Sequence, residues 1–167
     1  FQTVPVNFND QNHVISAYAE NKIKFGPVRF EPGVRSDFLA RTNTATFDPR
    51  GLLSYEFPSE TTISVAGGQY QSFAQVNTFY FNRVFNYQPQ VVVADYLKPE
   101  RSFHRTVGIE QRLGRHSIKV EGFMNDFDSL LQSADATTGR SFSNGGALRT
   151  RGAEFFLRRD KEDKETE

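Results

Sequence analysis

The sequence predicts an all-β chain: an antiparallel sheet of about seven strands in meander order, of the kind that forms a segment of transmembrane β-barrel wall. Three observations predict it. Apolar and polar residues alternate with period two over segments of roughly ten residues. Short and long connections alternate along the chain. Finally, 17 Phe and 6 Tyr make the chain 14% aromatic although it is only 37% hydrophobic.

The first run spans His13 to Phe25, where Ile15, Ala17, Ala19, Ile23 and Phe25 share one face. Ser16, Glu20, Lys22 and Lys24 lie on the other, with Tyr18 among them. Gly26-Pro27 breaks the run as a tight turn does. Val28, Phe30, Pro32, Val34 and Phe38 then form the next apolar face, against Arg29, Glu31, Arg35 and Asp37. A third run covers Arg50 to Phe57, with Leu53, Tyr55 and Phe57 opposed to Ser54 and Glu56. Pro58 to Thr61 closes it, and Ile63, Val65 and Gly67 begin a fourth. After a long interval Phe103, Val107, Ile109 and Leu113 alternate with His104, Thr106, Glu110 and Arg112. Gly114-Arg115 turns the chain into Ile118, Val120 and Met124, opposite Lys119, Glu121 and Asn125. The last run sets Ala153, Phe155 and Leu157 against Glu154, Phe156 and Arg158.

The connections near residues 26, 59 and 114 are short, whereas Ala40 to Asp48, Ser72 to Lys98 and Ser133 to Ala147 are long. Antiparallel strands placed in order send all short turns to one end of the sheet and all long loops to the other. Outer-membrane barrels have this asymmetry, with short periplasmic turns and long extracellular loops. A soluble β-sandwich also alternates, its apolar face packing on a second sheet. The heavy use of Phe and Tyr near strand ends favours the barrel.

Composition narrows the function. Lys and Arg number 20 and Asp and Glu 20, so no basic excess supports nucleic-acid binding. Mean hydropathy is −0.56, and no apolar run approaches the roughly 20 residues of a membrane helix. Barrel strands average out to polar, so that value is compatible with a membrane. Cysteine is absent, which removes disulfides and thiolate metal sites. His13, His104 and His116 lack metal-ligand spacing. Asp126 and Asp128 with Asn125 lack the glycine of a calcium loop and read as solvated acids near a strand end. Gly67-Gly68 and Gly145-Gly146 lack the strand-to-helix context of a phosphate loop. No Ser-His-Asp grouping follows from spacing. The expectation is a non-enzymatic protein without catalytic residues, bound metal or cofactor.

From Ala17 to Arg35 the sequence reads AYAENKIKFGPVRFEPGVR. Its Tyr18-Ala19-Glu20-Asn21 and Pro32-Gly33-Val34-Arg35 stretches resemble a segment of TonB-dependent outer-membrane receptors, most like those for ferric citrate and related ferric siderophores. Asp48-Pro49-Arg50, Leu97-Lys98-Pro99-Glu100-Arg101-Ser102, Gly108-Ile109-Glu110, Asn144-Gly145 and Arg151-Gly152-Ala153-Glu154 resemble further family motifs, in the family's order. Together they cover most of residues 15 to 158. The resemblance implies a barrel of about 22 strands around a plug, of which this chain supplies roughly a third of the wall. The plug domain, the TonB-binding segment and the closing strand are expected to lie outside residues 1–167, whose end, Lys161 to Glu167, is a charged run.

Within that frame Gly33 and Gly108 fall on the lumen-facing register. There a missing side chain admits close approach of a plug or relieves curvature, or marks a bulge without functional role. Arg35, Glu110, Arg112, Glu154 and Arg158 are expected to face the lumen and to pair across strands. The segment from Ser72 to Tyr96 interleaves aromatics with Asn, Gln and Arg. As an extracellular loop it offers Phe79, Tyr80, Phe81, Arg83 and Tyr87 as candidate ligand contacts, since the planar guanidinium fork suits an anionic ferric chelate. The alternative is that these aromatics belong to an interfacial girdle. The resemblance implies an outer-membrane receptor of a Gram-negative-type bacterium. Such a receptor takes up a ferric chelate with energy from TonB, and its partners are its own plug, TonB and outer-membrane lipid. A passive porin-like channel and a soluble β-sandwich binding module are the alternatives.

Overall fold

Pro32 sits in the middle of a central strand and explains the first feature of the architecture. A computed structural model describes residues 13–74, 80–85, 88–93, 95–133 and 142–159. The first run forms β1 (Val14–Glu20) and β2 (Ile23–Phe25), both antiparallel to β3 (Val28–Leu39). The break between β1 and β2 lies opposite Pro32. Its carbonyl accepts from Asn21 N at 3.0 Å, but proline has no N–H to return, and the ladder is interrupted there.

The remaining strands are β4 (Thr44–Ala45), β5 (Asp48–Glu56), β6 (Thr61–Ser72), β7 (Tyr80–Phe85), β8 (Gln88–Val93), β9 (Glu100–Leu113), β10 (His116–Ser133) and β11 (Phe142–Arg159). The main sheet has nine strands, in the path β1-β3-β5-β6-β9-β10-β11, with β2 and β4 also paired to β3. Every pairing is antiparallel. The seven members of that path correspond one for one to the seven alternating runs. No helix occurs among the described residues, and the sheet is a meander whose ends, β1 and β11, are not paired with each other.

The expected loops hold more structure than the alternation shows. β7 and β8 pair as a two-stranded ribbon between Ser72 and Lys98. The β10–β11 ladder continues through Leu130↔Gly146 to Ser133↔Phe142, past register shifts around Leu130. Ser129 there has φ 56°, the local geometry of a β-bulge.

At the opposite end the short turns are tied together. Gly26 and Gly114 take φ of 53° and 60°, which glycine adopts without steric cost. Glu56 N donates to Pro27 O at 2.9 Å and Arg112 N to Glu60 O at 3.1 Å. Gln111 Nε2 reaches Ser59 O at 2.9 Å.

Register places the apolar sets of the main sheet's path strands on a single face. Ile23, Phe30, Leu53, Val65, Val107, Gly122 and Ala153 form one cross-strand row. Phe25, Val28, Tyr55, Ile63, Ile109, Val120 and Phe155 form the row beside it. Such pairs contribute roughly 0.2–1 kcal/mol each.

Burial is inverted relative to a layered fold. Leu53 is 52% exposed, while Ser54, on the other face, is 9% exposed. Among the described residues the buried hydrophobic side chains are Leu39, Ala74 and Leu97, all at the long-connection end. The apolar face stays exposed among the described residues, where a β-sandwich would bury it under a second sheet.

Candidate functional site

The polar face carries a row in register across five strands: Glu20, Gly33, Arg50, Gly68 and His104. Arg50 lies flat in this row and its Nη2 meets Glu20 Oε2 at 3.1 Å. A Cβ at Gly33 would stand 3.1 Å from Arg50 Nε, and one at Gly68 would stand 2.9 Å from Arg50 Cβ and 3.1 Å from the Tyr70 hydroxyl. The two glycines therefore make room for neighbours on the sheet itself. Tyr70 stacks at a tilt on His104, ring centroids 4.8 Å apart, and Phe127 meets the histidine edge-on at 5.8 Å. His104 Nε2 is buried without a hydrogen-bond partner among the described residues.

Glu20, Arg50, Tyr70 and His104 line a notch of about 290 Å³, with Glu31, Leu52, Ala66 and Thr106 among the residues completing it. Glu31 Oε1 lies 3.2 Å from Arg29 Nε and 3.5 Å from Lys22 Nζ, close enough for ionic attraction. It has no partner in hydrogen-bond geometry. The notch combines two carboxylates, a guanidinium, a phenol and an imidazole nitrogen. That chemistry suits docking of a polar segment, since an unpaired buried polar atom is costly until something satisfies it.

Elsewhere on this face Arg35 Nε bridges both Asp37 oxygens, at 2.9 and 3.1 Å, and Arg35 Nη2 reaches Ser16 Oγ at 3.3 Å. Lys119 pairs with Glu121, and its stem passes 3.6 Å from where a Gly108 Cβ would be. Gly33 and Gly108 are thus on the expected face, and both are occupied by their own neighbours. Of the charged residues expected to pair across strands there, Arg35 pairs along its own strand with Asp37 and crosses to β1 only through its hydrogen bond to Ser16. Glu110, Arg112 and Glu154 lie on the polar face with no ion pair among the described residues. Arg158 lies on the same face, opposite Ser117.

The long-connection end is built by two of the sequence motifs acting together. Asn144 donates from Nδ2 to Lys98 O at 2.9 Å and accepts from Lys98 N at Oδ1 at 2.8 Å. The same Nδ2 reaches Ser129 O at 2.8 Å. Glu100 Oε1 accepts from Leu131 N at 2.8 Å where the ladder shifts register. Leu97 is buried with Leu39 and Ala74, and Phe73, Leu131 and Phe142 pack on them. Arg41 pairs with Asp95 at 2.8 Å. This cluster fixes both ends of the connection that carries β7 and β8.

Of the ligand-contact candidates, Phe79 and Tyr87 lie outside the described residues. Tyr80, Phe81 and Arg83 fall on β7, opposite Val93, Val92 and Gln90. Asp126 and Asp128 share the apolar face just beyond its hydrophobic rows; their side chains keep 23% and 40% exposure, and arginine partners engage them there. Asp128 takes a bidentate contact from Arg101, at 3.0 Å to each oxygen. Asp126 receives Arg105 Nη1 at 2.8 Å and also pairs with Arg149. No cluster of metal-ligating side chains occurs among the described residues.

Sequence reasoning missed the Glu20–Arg50–His104 row and the Asn144 clamp. The first depends on register across strands separated by a long interval. The second was legible only as a motif without a partner.

Comparison with known proteins agrees with this geometry. Residues 2–160 match the family model described as TonB dependent receptor-like, beta-barrel. No curated protein gives a match. Among solved structures the chain resembles the siderophore receptor PirA from Pseudomonas aeruginosa, with a TM-score of 0.68 and 18% identity over 86% of this chain and 30% of that one. It also resembles a structure of the RagAB peptide importer in the "closed-closed" state, with a TM-score of 0.66 and 13% identity over 90% of this chain and 20% of that one. The chain spans less than a third of the length of either. The family match covers nearly the whole chain, and the chain belongs to the TonB-dependent receptor β-barrel family.

Proposed function

We propose that this chain is part of the barrel wall of an outer-membrane active-transport receptor for a ferric chelate, energised through TonB. The observation that carries the reading is the family match over residues 2–160. Its motifs Leu97–Ser102 and Asn144-Gly145 meet physically at the long-connection end. A ferric chelate is favoured as cargo by the Tyr18–Asn21 and Pro32–Arg35 stretches, which resemble ferric citrate and siderophore receptors. The structural likeness to PirA, itself a siderophore receptor, points the same way.

In this reading the apolar rows face outer-membrane lipid and the polar face lines the lumen, where the Glu20–Arg50–His104 notch receives the receptor's plug domain. The long connections stand on the extracellular side. There the 72–98 connection presents Phe79, Tyr80, Phe81, Arg83 and Tyr87 to the chelate. The plug and the segment that contacts TonB belong to the rest of the receptor.

Uptake of radiolabelled ferric citrate and ferric siderophores by a bacterium carrying or lacking the parent gene tests the assignment. Gene-dependent uptake that stops when TonB is deleted is the expected result. Uptake that persists without TonB would instead establish a passive porin-like channel. A RagAB-like cargo gives a further arm, because that neighbour imports peptides. Gene-dependent entry of labelled peptide with no ferric uptake would move the cargo to that class and leave the barrel assignment standing.

A further inference from the structure

The glycines of this sheet outside its turns and the register-shifted 142–146 stretch fall into two kinds. On the polar face a Cβ at Gly33, Gly68, Gly108 or Gly152 would come within 2.7 to 3.1 Å of a neighbouring side chain. On the apolar face a Cβ at Gly51, Gly67 or Gly122 would meet nothing nearer than 3.6 to 3.8 Å. Packing within the sheet does not demand glycine at these three positions. Their bare backbone instead forms the floor of an open groove of about 1100 Å³ on the apolar face, walled by Phe30, Leu53, Val65, Val107 and Met124.

Arg105 and Arg151 line the same groove. Both are in register with Met124, one on each side, so their backbones stand about 10 Å apart at ordinary strand spacing. Two arginine side chains at that separation can converge on one phosphate group placed over Met124. The surrounding charge favours an anion. Arg105, Arg149 and Arg151 share this corner with the single carboxylate of Asp126, to which Arg105 and Arg149 are paired. Arg151 has no ion pair among the described residues.

We propose that this groove is a binding site for one anionic membrane lipid, its acyl chain lying over Gly51, Gly67 and Gly122 and its phosphate held between Arg105 and Arg151. The inference rests on the membrane reading above, in which this face meets lipid. Every lipid chain is as apolar as the groove walls, so chain contact alone selects nothing. Selection comes from the phosphate, whose charge-assisted hydrogen bonds form at the edge of a low-dielectric layer.

The test uses the full-length receptor in detergent micelles. Native mass spectrometry measures retention of added 1-palmitoyl-2-oleoyl phosphatidic acid against phosphatidylcholine with the same chains. The expected result is preferential retention of phosphatidic acid, reduced about tenfold in Arg105→Gln/Arg151→Gln, as loss of one or two charged hydrogen bonds implies. Gly67→Leu is expected to lower retention of both lipids by filling the floor. Arg151→Gln alone breaks no ion pair, so its effect cannot be assigned to misfolding. Equal retention of both lipids by the native receptor, or undiminished preference in the arginine variants, overturns the proposal. Recovery of the native receptor in the soluble fraction without detergent would instead overturn the membrane reading itself.

Discussion

Arg50 reaches Glu20 by crossing over Gly33, so the ion pair spans two strand intervals with a bare backbone between its partners. The glycine is part of the salt bridge's geometry although it contributes no atom to it. A polar wall organised in this way keeps long side chains flat and leaves the space above them free.

That relationship predicts a specific non-additivity. A valine at 33 places its Cβ against the flexible Arg50 side chain, which swings away and releases Glu20. The pair is partly exposed, at 35% and 48% for its two side chains, so its loss costs at most about 1 kcal/mol. A β-branched residue in a strand gains up to about 1 kcal/mol over glycine. Gly33→Val is therefore expected to be nearly neutral in the full-length receptor and clearly stabilising in an Arg50→Ala background. Urea midpoints of the four members of the cycle, measured in detergent, check this; identical effects in both backgrounds would sink the account.

Asn144 predicts a local rather than a global effect. Its amide makes three hydrogen bonds to the backbones of Lys98 and Ser129. Alanine there leaves those groups unpaired or hydrated, at about 1–3 kcal/mol. The damage falls on the anchor of the 73–97 connection, while the ladder from His116 to Phe127 is untouched. Asn144→Ala is expected to raise the rate of limited proteolysis in that connection about tenfold. The heat-modifiable mobility of the whole barrel should stay unchanged. Proteolysis at the native rate would show that Asn144 does not hold the connection.

How much of this was legible before the structure depended on periodicity. Residues such as Leu53, Val65 and Val107 declared their face because each is flanked by polar neighbours, and the turns at Gly26 and Gly114 fixed where each run reversed. β7 and β8 were not legible, since Asn, Gln and aromatics mix there without alternation. The outer part of β10 was hidden by the irregularity near Ser129, which puts Phe127 and Leu130 out of step. The single run from 13 to 25 gave no sign of its break, because the cause, Pro32, lies on the neighbouring strand. For the same reason Arg35 could be placed on the polar face, whereas Glu20, Arg50 and His104 could not be placed side by side.

The two faces predict opposite responses to the same substitution at adjacent positions. Ile109 is 47% exposed in the second of the apolar rows, and Glu110 lies on the polar face outside the notch. In the membrane reading Ile109→Arg puts a guanidinium into lipid, at about 2–4 kcal/mol near the midplane. Glu110→Arg stays in a wet lumen and should cost less than about 1 kcal/mol. Unfolding of the two receptors in lipid vesicles measures the difference. Equal costs, or a larger cost at 110, would mean that the faces are assigned the wrong way round.

The open sheet predicts what the 167-residue chain does alone. β11 is an 18-residue strand and among the described residues has only β10 beside it, so about half of its N–H and C=O groups point away from any partner there. β1 has the same problem on its free edge. Each unsatisfied group costs several kcal/mol in the hydrocarbon layer, far more than the roughly 0.2–1 kcal/mol of a cross-strand pair can offset. Length does not help. At about 3.3 Å per residue β10 and β11 run some 60 Å, well beyond a layer of about 25–30 Å. Strand length thus supplies the reach to form loops outside the membrane but leaves the edges open within it. Refolded into vesicles, residues 1–167 are expected to associate through their edges and to show no heat-modifiable monomer band. A homogeneous monomer of that kind would show that these strands close without the rest of the wall.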